Sequence, residues 1–146
     1  MSIFFVTNEG NDIWNPGRVT AQMFCAQVTS IAREVGVESG LGAIISDQVI
    51  VDVEKFKAFA VAFAKYMLCL QPNDKAWTLL AGCFSFVGAL AERLGAKPGA
   101  LAEGLDTVVH PTVNVTVHSD PAGADLKPAV GPELARLIAN GIRLIS

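Results

Sequence analysis

An α+β fold follows from three features of this 146-residue chain: a central apolar helical hairpin, with N- and C-terminal helices packed on a small, mostly antiparallel sheet. The first feature is a pair of long apolar stretches, 53–70 and 74–94, joined at Gln71-Pro72-Asn73. The second is a set of short β-forming runs, with turn residues between them, ahead of that pair. The third is one stretch of period-two alternation behind it, at 106–119.

Taken in order, Ile3–Thr7 is rich in β-formers, and Asp12-Ile13-Trp14 can pair with it across Asn8-Glu9-Gly10-Asn11, good turn chemistry. A helix then opens at Trp14-Asn15-Pro16-Gly17, with Asn15 as N-cap and Pro16 at the first helical position. Phe24, Val28, Ile31 and Val35 form its apolar stripe, and Gly36 is its stop. Trp14 either staples the hairpin to this helix or stacks on a ligand. Val37–Gly42 reads as a glycine-bearing connector, without the spacing of a phosphate loop. Gln48–Val53 alternates as a short strand.

The first helix of the hairpin carries Phe56, Phe59, Ala60, Phe63, Met67 and Leu70 at steps of three and four. Asp52 is its N-cap, and Glu54 suits its first turn. The second helix is apolar nearly all round: Trp77, Leu80, Phe84, Val87 and Leu94 on one face, Leu79, Cys83, Phe86 and Leu90 on the next. Such a helix lies in a core, an oligomer interface or a membrane. Its uncharged run, Ala76 to Ala91, is shorter than a membrane span of about 20 residues, so core or interface is the reading.

These residues also carry a resemblance. The Trp14-Asn15-Pro16 helix start, the Ser39-Gly40-Leu41-Gly42 connector, Asp47, the entry Val51-Asp52-Val53-Glu54-Lys55-Phe56 with Phe59, and the helix end Ala89-Leu90-Ala91-Glu92-Arg93 resemble a family of short actinobacterial proteins. The resemblance covers residues 4–95. That family is a domain of unknown function, so the resemblance implies no catalytic residue.

One domain is expected over 1–146, with a core at 1–95 and an extension at 96–146 that holds one amphipathic strand and a C-terminal helix. In the strand, Val109, Pro111, Val113, Val115 and Val117 alternate with His110, Thr112, Asn114, Thr116 and His118. Ser119–Pro132 reads as a loop and Glu133–Ile145 as the closing helix.

Composition bounds the function. The chain is 51% hydrophobic, with mean hydropathy +0.43 and 17% charged residues against the usual ~25%, so apolar surface is left over and a homodimer is expected. A net charge of −3 and pI near 5.3 supply no field for nucleic acid. The start, Met1–Val6, lacks a basic n-region and a long apolar run, which predicts a cytoplasmic protein without a membrane span. Cys25, Cys69 and Cys83 lack CxxC spacing and read as small buried hydrophobes.

His110 and His118 share a face but stand eight strand residues apart, roughly 27 Å, too far to bind one metal; neither metal nor cofactor is predicted. Two functions are expected. The first is a small non-catalytic interaction protein, of immunity or accessory type, acting through self-association or a protein partner. The alternative is a binder of an apolar small molecule, or a cofactor-independent enzyme. Its pocket would be lined by Trp14, Phe59, Phe63, His110 and Asn114, with His110 as acid/base and Asp47 or Asp52 tuning it.

Overall fold

The computed structural model describes residues 1–71, 73–96 and 121–146, the last with side chains from residue 132 onward. In chain order the elements are β1 (Phe4–Thr7), β2 (Asp12–Trp14), α1 (Arg18–Val35), β3 (Leu41–Ile45), β4 (Gln48–Val51), α2 (Val53–Leu68), α3 (Lys75–Arg93) and α4 (Pro121–Ile145). The four strands form a mixed sheet in the order β2-β1-β4-β3. Two pairings are antiparallel hairpins; the central one, β1 with β4, is parallel, with Phe4 opposite Gln48 and Thr7 opposite Val51. The protein is α+β.

Turn chemistry builds the first hairpin. Gly10 takes φ +90 and its N–H donates to the Thr7 carbonyl at 2.8 Å. The Thr7 hydroxyl accepts from Asn11 N–H at 3.0 Å. The second hairpin turns on Ser46 (φ 50) and Asp47 (φ 62), the two positive-φ residues that a type I′ turn requires. The Asp47 carbonyl accepts from Phe4 N–H at 2.9 Å, so this turn also starts the parallel ladder.

Phe5, Val49 and Val51 are fully buried under the helices, and the opposite face of the sheet leaves Phe4 and Ile50 exposed. Helix α1 buries Ala21, Phe24, Val28 and Ile31, and Gly36 closes it in the left-handed conformation, its N–H donating to Ala32 O. Asp52 caps α2 through Lys55 N–H at 3.1 Å, and Asp74 caps α3 through Ala76 N–H at 2.9 Å. Helix α3 makes its most extensive contact with α4, less with α2, and touches α1 only sparsely. No helix among the described residues is long and apolar enough to cross a membrane.

Three local expectations are corrected. Helix α1 starts two residues later than Asn15-Pro16 implies: Gly17 is the N-cap, with no side-chain cap. Its start is held back because Pro16 O accepts from Ile3 N–H and Arg18 N–H donates to Met1 O, which keeps 15–17 extended beside the chain start. The connector after α1 is half strand: β3 begins at Leu41, where long-range pairing with β4 overrides the poor β-propensity of Gly42 and Ala43. The final helix starts at Pro121 and not at Glu133. Proline suits a first helical position, and the alanines and leucine that follow carry the helix on despite Pro128 and Pro132. The strand expected at 106–119 lies outside the described residues.

Two glycines are required by close approach. A Cβ on Gly141 would run into the Ser85 carbonyl of α3. One on Gly40, which holds φ +75, would sit 2.7 Å from Asp52 O and Phe56 N. Gly40→Ala and Gly141→Ala should each cost about 3 kcal/mol or more, through backbone strain and overpacking, read as a fall in the chemical-denaturation midpoint. Conversely, Ser46→Asn with Asp47→Gly should stabilise by about 1 kcal/mol in the same measurement, because Asn-Gly accepts two positive φ values readily. The exposed Arg18–Asp47 pair lost in that change, at 3.9 Å, is worth only a few tenths of a kcal/mol.

Candidate functional site: an uncharged trough between α1 and α3

Of the residues expected to line a pocket, the structure places Trp14, Phe59 and Phe63 in two aromatic clusters. Trp14 is 7% exposed and packs on Phe5 (5.1 Å between ring centroids), Phe24 (5.3 Å) and Phe86 (5.4 Å). Phe59 stacks on Phe63 at 5.9 Å, and Phe63 meets Phe84 edge-on at 5.2 Å. Phe59 and Phe63 are wholly buried in the core between the helices. His110 and Asn114 lie outside the described residues. Asp52 is engaged as the α2 cap, and Asp47 faces Arg18.

The largest apolar exposure on the helices is elsewhere. Because α1 and α3 meet sparsely, a trough runs along their seam as two adjoining hollows of about 360 and 430 Å³. Met23 and Gln27 of α1 and Leu79 and Cys83 of α3 line both, and Trp14, Phe24 and Phe86 form one end of the floor. Its rims are bare hydrophobes: Val19 is 74% exposed, Met23 58% and Leu79 79%. Val19–Ala32 of α1 contains no charged residue, and neither does Ala76–Ala91 of α3. From Val19 to Ser30 the seam is about 16 Å long, three turns of helix.

Two other hollows are lined by charged side chains. One of about 690 Å³, on the far side of Trp14, is lined by Asp12, Asn15 and Arg93 among others. The Arg93 guanidinium there donates to Ile13 O at 2.6 Å and Ile145 O at 2.9 Å, tying β2 to the end of α4. Another, of about 570 Å³ beside β3, holds the exposed Lys55–Glu38 pair at 2.7 Å, which raises the Lys55 pKa through its hydrogen bond. Among the described residues no group of three or more His, Cys, Asp or Glu could hold a metal. The two thiols nearest the trough are suppressed: burial pushes Cys25 up to about 11 and Cys83 up to about 12.

Periodicity placed Leu79 on the second apolar face of α3 but did not point to Val19 and Met23. The signal that could have found them is their position off the buried stripes, on helix faces that lack the lysines and glutamates a solvated face normally carries.

The fold is thus that of a small α+β protein that carries, among the described residues, an uncharged apolar seam between two helices. A family of unknown function, DUF6086, matches residues 1–127, and the chain belongs to it. The match runs past residue 95, where the likeness read from individual motifs stops. No curated protein and no solved structure matches the chain.

The thiols give a direct check on these surroundings. Cys69, expected to be buried, is exposed, so native protein at pH 8 should react rapidly with a thiol reagent there, and at all three cysteines only once unfolded. Raising Cys25 from 9.0 to about 11 leaves it about 100-fold less thiolate, the reactive form. The folded state holds protons that the unfolded chain sheds above pH 9.0. Stability to denaturant should therefore be level in this respect below pH 9 and fall as pH rises from 9 towards 12.

Proposed function

We propose that this is a non-catalytic interaction protein that works by burying the α1–α3 face against another polypeptide. The observation that carries this reading is the continuity of Val19, Met23 and Leu79 across two neighbouring helices with no intervening charge. Exposed apolar residues scattered singly need no explanation, but a contiguous strip over a hollow marks a contact surface. Depletion of charge at the centre, with glutamine and threonine flanking, is the composition of an interface core and its rim.

A second reading is favoured by the hollows themselves: their aromatic floor at Trp14, Phe24 and Phe86 suits an apolar small molecule. A bound ligand at 100 times its Kd would stabilise the fold by about 2.7 kcal/mol, visible as a thermal shift against a panel of apolar metabolites.

The first reading is tested by Leu79→Lys. Leu79 is 79% exposed, so the substitution should change stability by no more than about 0.5 kcal/mol. It should remove the cross-linked species that the wild-type chain forms, in dilute solution or in its native cell extract. An unchanged cross-linking pattern in the folded variant would refute the reading.

A further inference from the structure

We infer that the occupant of the trough is a second copy of this chain, its α1 lying antiparallel to the first across a two-fold axis level with the Phe24–Cys25 step. This deepens the interaction reading above and rests on it. The exposed face of α1 carries its side chains in an order that fits its own reverse.

Val19, Met23, Ala26 and Ser30 recur at steps of four, three and four and are all exposed, so they form one outward stripe. The stripe is graded: large at its N-terminal half, small at its C-terminal half. About the midpoint between residues 24 and 25, position 23 is the mirror of 26 and position 19 the mirror of 30. Antiparallel pairing sets Met23 of each copy over Ala26 of the other, and Val19 over Ser30. Large side chains fill the space left by small ones, as close packing requires. A parallel pairing would set Met23 on Met23 and Ala26 on Ala26, a collision beside a void.

The flanks obey the same symmetry. Thr20 and Thr29 mirror each other about the midpoint, and so do Gln22 and Gln27; all four are exposed. On a helix, Thr20 and Gln27 fall on the flank towards α3, where both line the trough, and Gln22 and Thr29 fall on the other flank. The two-fold brings each flank against its own counterpart running backwards. Gln27 then lies within about two residues' rise, 3 Å, of Thr20 from the second copy, and Gln22 equally near Thr29. An amide donates and accepts, so each pair can be satisfied. The Thr29 hydroxyl already donates to Cys25 O at 2.8 Å, which leaves its oxygen free to accept from a glutamine N–H.

Charge agrees. A copy meeting itself suffers like-charge repulsion wherever its own face is charged, and Val19–Ala32 has none to repel. Antiparallel pairing carries Arg18 towards the end that holds Arg33 and Glu34, whose charges offset, instead of onto the other Arg18. Leu79 extends the same strip from α3.

Sedimentation equilibrium on the full chain tests this with the variants Met23→Lys, Met23→Ala, Ala26→Met and the double swap Met23→Ala/Ala26→Met. The wild type should be a dimer at micromolar concentration, and Met23→Lys a folded monomer by circular dichroism. Each single size change should weaken the dimer at least about tenfold, because the contact occurs twice across the axis. The double swap, which only exchanges large for small, should return to within about threefold of wild type. A wild-type chain that stays monomeric at 200 µM (~3 mg/ml) overturns the inference and leaves the interaction reading to its own test. A dimer that survives Met23→Lys overturns it too, and removes this face as the contact. A dimer lost in Met23→Lys but not restored by the swap overturns the antiparallel arrangement while the face stands.

Discussion

The contact between α3 and α4 at Ser85 and Gly141 governs how the rest of the helical layer is arranged. Helix α3 is apolar around most of its circumference and must be covered on several sides. Gly141 admits the Ser85 carbonyl where any side chain would block it, and Gly88 leaves room for Ile138, whose Cγ1 lies 2.5 Å from where a Cβ would stand. Ser85 turns its hydroxyl back to Ala81 O at 3.0 Å, so that hydroxyl is satisfied within its own helix. With α4 seated this closely on one side and the Phe63–Phe84 contact locking α2 on another, the remaining side of α3 falls to α1. Helix α1 packs on the sheet through Phe24, whose ring meets Phe5 and Trp14, and touches α3 only sparsely. The trough is what is left of α3 among the described residues once α2 and α4 have been placed.

The sheet holds α1 in that position. A parallel pairing needs a crossover, and α1 is the crossover between β1 and β4. Its two ends are tied differently. At the start, Arg18 N–H donates to Met1 O, and at the end Gly36 closes the last turn on Ala32. Gly40 then passes so close to Asp52 and Phe56 that β3 and the start of α2 are locked together. Sliding α1 towards α3 would have to break this frame, so the seam is a property of the connectivity and not of one weak contact.

Local physics made much of this readable from the chain. The Thr7–Asn11 turn, the Gly36 stop, the Asp52 cap and the phenylalanine stripe of α2 each depend on residues within a few positions of one another, and each is where sequence places it. Two elements were hidden for a common reason. Strand β3 contains Gly42 and Ala43 and shows no alternation; only pairing with β4, including a register shift between Leu41 and Ile44, makes it a strand. The trough likewise depends on how far apart two helices stand, which no periodicity records. What periodicity did contain was the surplus on α3, of which Leu79 stays exposed while Cys83 and Leu90 of the same face are buried.

The sheet edges are the other surfaces that could recruit a chain, and they are poorly suited to it. Edge strands tend to recruit other chains, and proteins blunt them with brevity, bulges and covering groups. Strand β2 has three residues, and its Ile13 carbonyl is taken by Arg93. Strand β3 is five residues long and broken by its register shift, so the ladder it could offer is short and irregular even though Ile45 is exposed. The described ion pairs also fall elsewhere than the seam, at Arg18–Asp47, Lys55–Glu38, Lys57–Glu54 and Arg136–Glu133. The same chain therefore blunts its sheet edges while leaving three turns of helix without charge and with large apolar side chains outward. A surface kept only for solvation would tolerate lysine or glutamate at Val19, Met23 or Leu79 at almost no cost, since each is more than half exposed. On the reading proposed above, their apolar character serves a contact outside the chain, since the fold itself does not require it.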